Sequence, residues 1–429
     1  MQNQNLNKNL LNWAKDLFPI NRSLTGDGNL QTLKYLKKIN PLLKIKKTKT
    51  GTKCFDWKVP YVWNVKRGML TDNKNKLICD FKRNNLELIG YSSSIKKEIS
   101  LKQLKSHLFT LKNQPEAIPY VTSYYKKNWG FCIKYNDYKK LKKNIKYKVQ
   151  IETKHEKGFM YHGEIFLKGK SKKEILICTY ICHPSMANNE LSGILASIYL
   201  SKILKYKNNY SIRILFIPET IGAINFINKY NKHLKENLIT GINLTCVGLN
   251  GPYTIISSIK ENTYADIICK RIGRTYKNFR ILNFLERGSN ERQFGCQNLN
   301  LPFVTFCRKK FGEYKEYHTS LDNLKILNYK EIINSTIFIK KIIDEINNNE
   351  IYIKLKNCEP FFTKYKMIKA LGTKKNMQSL SRVHLSNFVA YTCKDLDVKE
   401  IQKKCKIKNT KIKKIVQLLS SKKIIKKYI

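Results

Sequence analysis

Residues 175–193 of the chain have the sequence ILICTYICHPSMANNELSG. The segment 175–181 is apolar and rich in β-branched residues, which is typical of a strand buried inside a sheet. Pro184 interrupts this run, because proline has no backbone N–H to donate to a sheet. Apolar residues then recur at helical spacing from Leu191 to Leu204. The stretch therefore predicts a strand, a short polar loop and a helix.

The polar loop carries His183 and a run of amide, acid and hydroxyl side chains at 188–192. In open α/β sheets, ligands bind in the crevice beyond the strand ends, which favours a polar site here. Asparagine and serine also cap helices well, so a capping loop with an incidental histidine explains the same residues. The stretch alone leaves both interpretations open.

The alternation of strand and helix patterns continues along the central part of the chain. Together with 175–181, strands are predicted at 149–153, 162–167, 212–217, 239–246, 253–258, 279–284 and 302–306, and helices at 191–204, 223–230, 263–272 and 329–346. Strands alternating with helices predict an α/β fold of three layers, in which helices cover both faces of a mixed sheet.

Two other parts of the chain have a different pattern. Residues 59–119 contain short alternating strands and one predicted helix at 101–111, which indicates a small β-rich insert. Residues 362–429 contain two amphipathic helices and a short strand, the pattern of a winged helix-turn-helix module. We therefore expect an α/β domain formed by 1–58 and 120–358, and we explain 18–28, FPINRSLTGDG, as a joint between two helices.

The composition describes a globular protein: 42% of the 429 residues are hydrophobic and 11% are aromatic. The formal charge of +51 is compatible with a polyanionic partner. Lysine, however, is spread along nearly the whole chain together with asparagine and isoleucine, which AT-rich codon usage explains. A solvated lysine coat is therefore favoured over a nucleic-acid interface.

Twelve scattered cysteines form no CxxC pair, and several lie in predicted buried strands, as expected in a reducing compartment. The first 13 residues lack an apolar signal region, and no apolar run reaches membrane-spanning length. We therefore expect a cytoplasmic protein without a membrane partner; self-association is left open.

Three further polar clusters lie at predicted strand ends. They are 218–222 (PETIG), 287–292 (RGSNER) and 312–323 (GEYKEYHTSLDN). Glu219 could act as a general base or a metal ligand, and the charged groups Arg287, Glu291 and Arg292 could hold a substrate. A single glutamate or histidine is usually structural, but four clusters on loops that leave one sheet favour a shared site.

The order of these motifs resembles the di-zinc aminopeptidase superfamily. The resemblance is closer to bacterial aminopeptidase-like proteins associated with polysaccharide biosynthesis, on the motifs FPINRSLTGDG, WKVPYVWNV, NQPEAIPYVTSYY, CHPSMANNELSG and GSNERQF. It covers essentially the whole chain. It implies zinc ligation by His183 and His318, a general base at Glu219, and substrate contacts that include Asn290 and Tyr317.

Three metal-ligand positions depart from that pattern, and Asn290 also replaces the aspartate of its GS-D-ERQ motif. Asn189 stands where the resemblance places the bridging aspartate, Thr220 where it places a second glutamate, and Thr245 where it places a further aspartate. Two zinc ions about 3.5–4 Å apart need an anionic bridge, which an amide cannot supply. One zinc on His183 and His318 with a carboxylate is still compatible. Glu190 is preferred as that carboxylate, since Glu219 then stays available as base.

Two functions follow as hypotheses. The first is a zinc-dependent amide hydrolase acting on a small peptide or an acylated amino sugar. The second is a catalytically degenerate protein that binds a ligand in the pocket, and DNA or protein through the winged helix. The segment 411–421 has no array of arginine and amide side chains for base readout, so the nucleic-acid partner is not favoured.

Overall fold

The computed structural model describes residues 2–204, 208–367 and 382–428. The strands are β1 (Lys44–Lys49), β2 (Lys53–Cys54), β3 (Trp57–Lys58), β4 (Val62–Thr71), β5 (Leu77–Asp80), β6 (Ile95–Ser100), β7 (Leu108–Phe109), β8 (Phe131–Cys132), β9 (Lys146–Glu156), β10 (Phe159–Leu167), β11 (Ser171–Tyr180), β12 (Tyr210–Ile217), β13 (Leu238–Leu244), β14 (Tyr253–Ile256), β15 (Phe279–Leu282), β16 (Phe303–Cys307), β17 (Tyr352–Lys354) and β18 (Ile425–Lys427).

The α-helices are α1 (Gln2–Leu17), α2 (Asp27–Ile39), α3 (Leu101–Leu104), α4 (Tyr135–Lys139), α5 (Ser192–Ile203), α6 (Ile221–Asn237), α7 (Tyr264–Gly273), α8 (Glu291–Phe294), α9 (Tyr329–Asn347), α10 (Arg382–Tyr391), α11 (Val398–Lys404) and α12 (Asn409–Ser421). A π-helical turn, Ala187–Leu191, leads directly into α5. Among these described helices, none is both long and apolar enough to cross a bilayer.

The main sheet has eight strands in the order β1-β10-β12-β11-β13-β16-β14-β15. The central strands β12, β11, β13 and β16 are parallel, and antiparallel pairs flank them, so the sheet is mixed. Strand β11 is buried on both faces: Ile175 and Ile177 contact one layer of helices, while Leu176 and Cys178 contact the other. The predicted three-layer α/β architecture is confirmed.

The two helical layers differ in size. Helices α1, α2, α5, α7 and α9 contribute to the larger core on one face, whereas α6 and α8 pack on the other. Gly193, near the start of α5, lies close to the sheet: a Cβ there would be 2.5 Å from Thr179 Oγ1 and 2.6 Å from the Leu244 carbonyl oxygen. Glycine therefore permits the close approach that places the polar loop against the strand ends.

The β-rich part differs in detail from the prediction. Its antiparallel sheet has the order β5-β4-β9-β6, so it includes β9, and residues 149–153 do not belong to the main sheet. The β-rich sheet thus extends beyond residue 119, the expected end of the insert. The helix expected at 101–111 is also shorter, because α3 ends at Leu104 and β7 follows one 3₁₀ turn later.

The C-terminal part has its own small core, formed by α10, α11, α12 and the β17–β18 pair. Arg271 of α7 donates two hydrogen bonds of 2.8 Å to the buried Asp397, whose carboxylate also caps α11. Helices α11 and α12 followed by β18 agree with the two helices and short strand expected, whereas α10 was not expected. The winged-helix assignment itself stays a prediction.

Candidate active site

His183, Glu219 and His318 converge at one edge of the main sheet. His183 follows β11 and Glu219 follows the adjacent parallel strand β12, so both side chains leave the sheet at the same edge. His318 lies in the loop between β16 and α9. The two imidazole rings have centroids 5.4 Å apart, and His183 Nε2 lies 3.9 Å from a carboxylate oxygen of Glu219.

The orientation of His183 is fixed from behind by Glu190. One carboxylate oxygen of Glu190 lies 3.0 Å from His183 Nδ1 and accepts the backbone N–H groups of Cys182 and His183. The other oxygen is 2.5 Å from Nε of Arg22, and both side chains of this ion pair are fully buried. A carboxylate on the second nitrogen of a histidine is the usual way to orient a metal-binding imidazole, with Nε2 facing the pocket.

Arg22 was not predicted as part of the site, because its segment was explained as a joint between helices. The joint does connect α1 and α2, but Arg22 within it pairs with Glu190, which lies 168 residues further along the chain. It also donates to the Leu17 carbonyl oxygen at 2.6 Å. The signal available in the sequence was an arginine inside a polar, glycine-rich turn.

The environment shifts the pKa values of the three converging side chains. Burial lowers the pKa of His183, but the neighbouring Cys182 and Glu190 raise it by more, so its pKa lies well above the usual value. Burial, aided by the charge of His183, lowers the pKa of His318 to about 3. Burial raises the pKa of Glu219, opposed by His183. The pocket thus holds one imidazole neutral and makes the Glu219 carboxylate more basic.

Aromatic residues and one aspartate hold the His318 loop in place. Tyr317 stacks on His318 at a centroid distance of 3.9 Å, and Tyr120 packs edge-on against the same ring at 5.1 Å. Asp322 accepts the backbone N–H groups of Asn188 and Asn189 at 2.6 and 3.0 Å. Asp322 therefore ties this loop to the turn that carries Glu190. The Nε2 atom of His318 is buried and has no hydrogen-bond partner among the described residues.

Neutral side chains at two of the departing positions, Asn189 and Thr245, both hydrogen-bond to the hydroxyl of Tyr180. The phenol of Tyr180 lies 2.9 Å from Asn189 Oδ1 and 2.6 Å from Thr245 Oγ1. All three residues are buried, so these uncharged hydrogen bonds fill the space where carboxylates would stand. The third departing residue, Thr220, has φ +61° and receives a hydrogen bond from Arg292 at 2.8 Å.

The five residues expected to contact substrate occupy different environments. Asn290 and Glu291 are buried and support loops: Asn290 accepts the Thr220 N–H at 3.0 Å, and Glu291 accepts the N–H groups of Gly288 and Ser289. Arg287 is exposed and contacts its own loop at the Phe284 carbonyl oxygen, and Arg292 is exposed beside Thr220. Tyr317 contacts His318 in the pocket.

These contacts determine which side chains of the site are available to bind a metal ion. Two imidazole nitrogens and a carboxylate on one side of a pocket are zinc-type ligands. Among the residues that the structure describes, Cys182, His183 and Glu190 form the one group of three possible ligands whose ligand atoms lie within 4.8 Å of one another. Glu190, however, already accepts from Arg22 and two backbone N–H groups, which suits it to orienting His183. Asn189 and Thr245 offer no carboxylate to a metal ion, and both are hydrogen-bonded to Tyr180.

Solved structures place the fold in a known class. A zinc aminopeptidase from Bacillus subtilis superposes with a TM-score of 0.59 at 10% identity, over 80% of this chain and 94% of that one. A peptidase M28 precursor from Shewanella amazonensis superposes with a TM-score of 0.56 at 11% identity, over 80% and 96% of the two chains. The protein therefore has the aminopeptidase-like fold.

Closer relatives define its family within that class. A family model described as a domain of unknown function, DUF4910, matches residues 11–349. A candidate polysaccharide biosynthesis protein with an aminopeptidase-like domain, from Clostridium acetobutylicum, is 38% identical over 370 residues, or 85% of this chain and 83% of that protein. The crystal structure of a candidate peptidase from the same species has a TM-score of 0.78 at 33% identity, covering 99% of this chain and 98% of that one. The chain belongs to this family of aminopeptidase-like proteins.

Proposed function

We propose that the protein is a metal-dependent amide hydrolase that uses one zinc ion and acts on a peptide or an acylated amino sugar. The observation that carries the proposal is that His183, His318 and Glu219 lie together where the strands end: the imidazole rings are 5.4 Å apart, His183 Nε2 is 3.9 Å from the Glu219 carboxylate, and His318 Nε2 has no hydrogen-bond partner in the described part of the chain. One structural neighbour is a zinc aminopeptidase, which supports the metal, and one relative is named as a polysaccharide biosynthesis protein, which supports the amino-sugar substrate class.

In this mechanism His183 and His318 would hold the zinc ion through their Nε2 atoms, and they are the only protein ligands assigned, because Glu190 orients His183 and Glu219 serves as base. When bound, zinc lowers the pKa of its water to about 7 and polarises the substrate carbonyl. Glu190 and Arg22 keep the His183 ring in its orientation. Glu219, with its pKa raised by burial, removes a proton from the attacking water and delivers it to the leaving amine. Tyr120 and Tyr317 exclude bulk water from around His318.

The test compares Glu219→Gln with Glu261→Gln, an exposed glutamate that provides the same chemical change far from the pocket. Zinc content and turnover are measured on aminoacyl anilides and on N-acetylated amino sugars. Glu219→Gln should retain the metal and lose about a hundred- to ten-thousand-fold in turnover, while Glu261→Gln keeps both. Loss of zinc in Glu219→Gln would instead make Glu219 a ligand, and full activity in metal-free protein would refute the proposal.

The second candidate is a ligand-binding protein that has lost hydrolysis. The hydrogen bonds that join Tyr180, Asn189 and Thr245 favour it, because they replace anionic metal ligands with a stable neutral cluster. Zinc-loaded protein that binds amide ligands but hydrolyses none of the panel would establish this function. A version of this second function in which the C-terminal helices bind nucleic acid is less favoured. DNA binding that disappears at moderate salt would indicate only nonspecific attraction to the surface lysines.

A further inference from the structure

A cavity of about 730 Å³ lies outside the pocket of His183 and His318, beside the β2–β3 hairpin. The hairpin, the segment 124–127 and the end of β9 form its walls. This volume is within the range of pockets that bind ligands of a few hundred daltons. None of the functional residues of the active-site pocket lines it.

The aromatic lining of this cavity is unusually exposed. Tyr61 and Tyr125, which line it, retain 52% and 56% of their accessible surface. Trp57 does not line the cavity but packs edge-on against Tyr125 from outside it. The Tyr125 hydroxyl donates to the Lys58 carbonyl oxygen at 3.0 Å, so this ring is held in place although it is exposed. Fixed, exposed rings with polar tips suit a ligand that has both an apolar face and hydroxyl groups.

The charged lining of the cavity has one sign. Four lysines line it: Lys58, Lys126, Lys127 and Lys157. Within the described chain none of the four forms an ion pair, and none of the described residues that line the cavity is acidic. Uncompensated ammonium groups around a concave surface concentrate positive potential there, which attracts anionic ligands.

The inner end of the cavity leads toward the active-site pocket. Tyr124 lines the cavity, and its hydroxyl lies 2.9 Å from the hydroxyl of Tyr120. The Tyr120 ring in turn packs 5.3 Å from the His183 ring and 5.1 Å from the His318 ring, measured between centroids. One pair of tyrosines therefore separates the two spaces.

We propose that this cavity binds an anionic oligosaccharide, a sugar chain that carries carboxylate or phosphate groups. The rings of Tyr61 and Tyr125 would stack on sugar faces, and the four lysines would pair with the acidic groups. A single-stranded nucleic acid is less suited, because such ligands need a basic groove that follows several successive phosphates. Binding here needs no reaction at His183 or His318, so this inference extends the proposed hydrolysis without depending on it.

Titration calorimetry at low salt tests the proposal with three probes of similar length. The acidic probe is a tetrasaccharide of alternating glucuronate and N-acetylglucosamine, the neutral probe is a tetrasaccharide of N-acetylglucosamine, and the third is a four-nucleotide thymidine strand. The acidic sugar should bind about tenfold more tightly than the neutral sugar, and more tightly than the oligonucleotide. Glu219→Gln should bind it unchanged, which separates this result from the test of hydrolysis.

Matched variants separate the cavity from the general lysine coat. The double variant Lys126→Gln/Lys127→Gln should weaken acidic-sugar binding about tenfold, whereas Lys96→Gln/Lys97→Gln, an exposed pair on β6 outside the cavity, should leave it unchanged. Tyr61→Ser should weaken binding of both sugars, and Phe361→Ser, at another exposed ring, should not. Equal effects of the two lysine pairs, absence of sugar binding, or tighter binding of the oligonucleotide would overturn the proposal.

Discussion

Replacement of Arg22 with methionine should lower the free energy of unfolding by about 3 kcal/mol. The side chains of Arg22 and Glu190 are both fully buried, and Nε lies 2.5 Å from the carboxylate oxygen. Removal of one partner of a buried ion pair costs about 3–5 kcal/mol, because the other charge stays buried without compensation. Glu190 keeps the N–H groups of Cys182 and His183, so we expect the lower end of that range.

The assay is equilibrium unfolding in urea, followed by circular dichroism at neutral pH. Arg287→Met is the control, since Arg287 is exposed and forms no ion pair with the described residues; it should stay within about 0.5 kcal/mol of the parent. The double variant Arg22→Met/Glu190→Gln should be more stable than Arg22→Met alone, because it removes the carboxylate that Arg22→Met leaves without its arginine. A loss below about 1 kcal/mol in Arg22→Met would refute the reasoning.

Three further predictions concern other buried positions. Burial lowers the pKa of His162 to about 4, so acid protonates this histidine in the unfolded chain before it does so in the folded one. Between pH 7 and 5 the parent should therefore lose about 2 kcal/mol of its free energy of unfolding, and His162→Phe should not. Parallel pH profiles of the two proteins would contradict this. Gly193→Ala should cost about 1–3 kcal/mol in urea unfolding, because its Cβ would meet Thr179 and the Leu244 carbonyl, and a neutral result would show that α5 can shift. Asn189→Asp buries a carboxylate, so the melting temperature of the variant without zinc should be lower than that of the parent, and added zinc should restore it. If zinc raised the melting temperature of the parent by the same amount, the new carboxylate would not form a second zinc site.

The helices and strands of the main domain were largely predictable from sequence. The run at 175–181 predicted most of β11, and the pattern at 329–346 predicted α9 to within one residue. Both have strong local patterns, one continuously apolar and one at helical spacing. The partners of β9 were not predictable in the same way, because pairing is set by distant residues. Its alternation of Tyr147, Val149 and Ile151 with polar residues was the available sign of a sheet that is buried on one face.

The residues of the site were likewise predictable from the sequence, but most of their contacts were not. His183, Glu219 and His318 stood out in the sequence as polar groups at strand ends, and the structure places their side chains together. Glu190 is preferred as a ligand at the level of sequence because Glu219 then stays available as base. The contacts of the Glu190 carboxylate with Arg22 and two N–H groups suit an orienting role, and those contacts come from residues on other segments.

The sequence by itself determined the order of elements in the α/β domain and the chemical types available at its strand ends. These follow from local periodicity and from proline and glycine positions, which act over a few residues. Only the tertiary structure decided that Arg22 supports Glu190, that Tyr180 joins Asn189 to Thr245, and that Tyr120 covers both imidazoles. Such contacts link residues far apart in the chain, and they form only when the layers pack and exclude water.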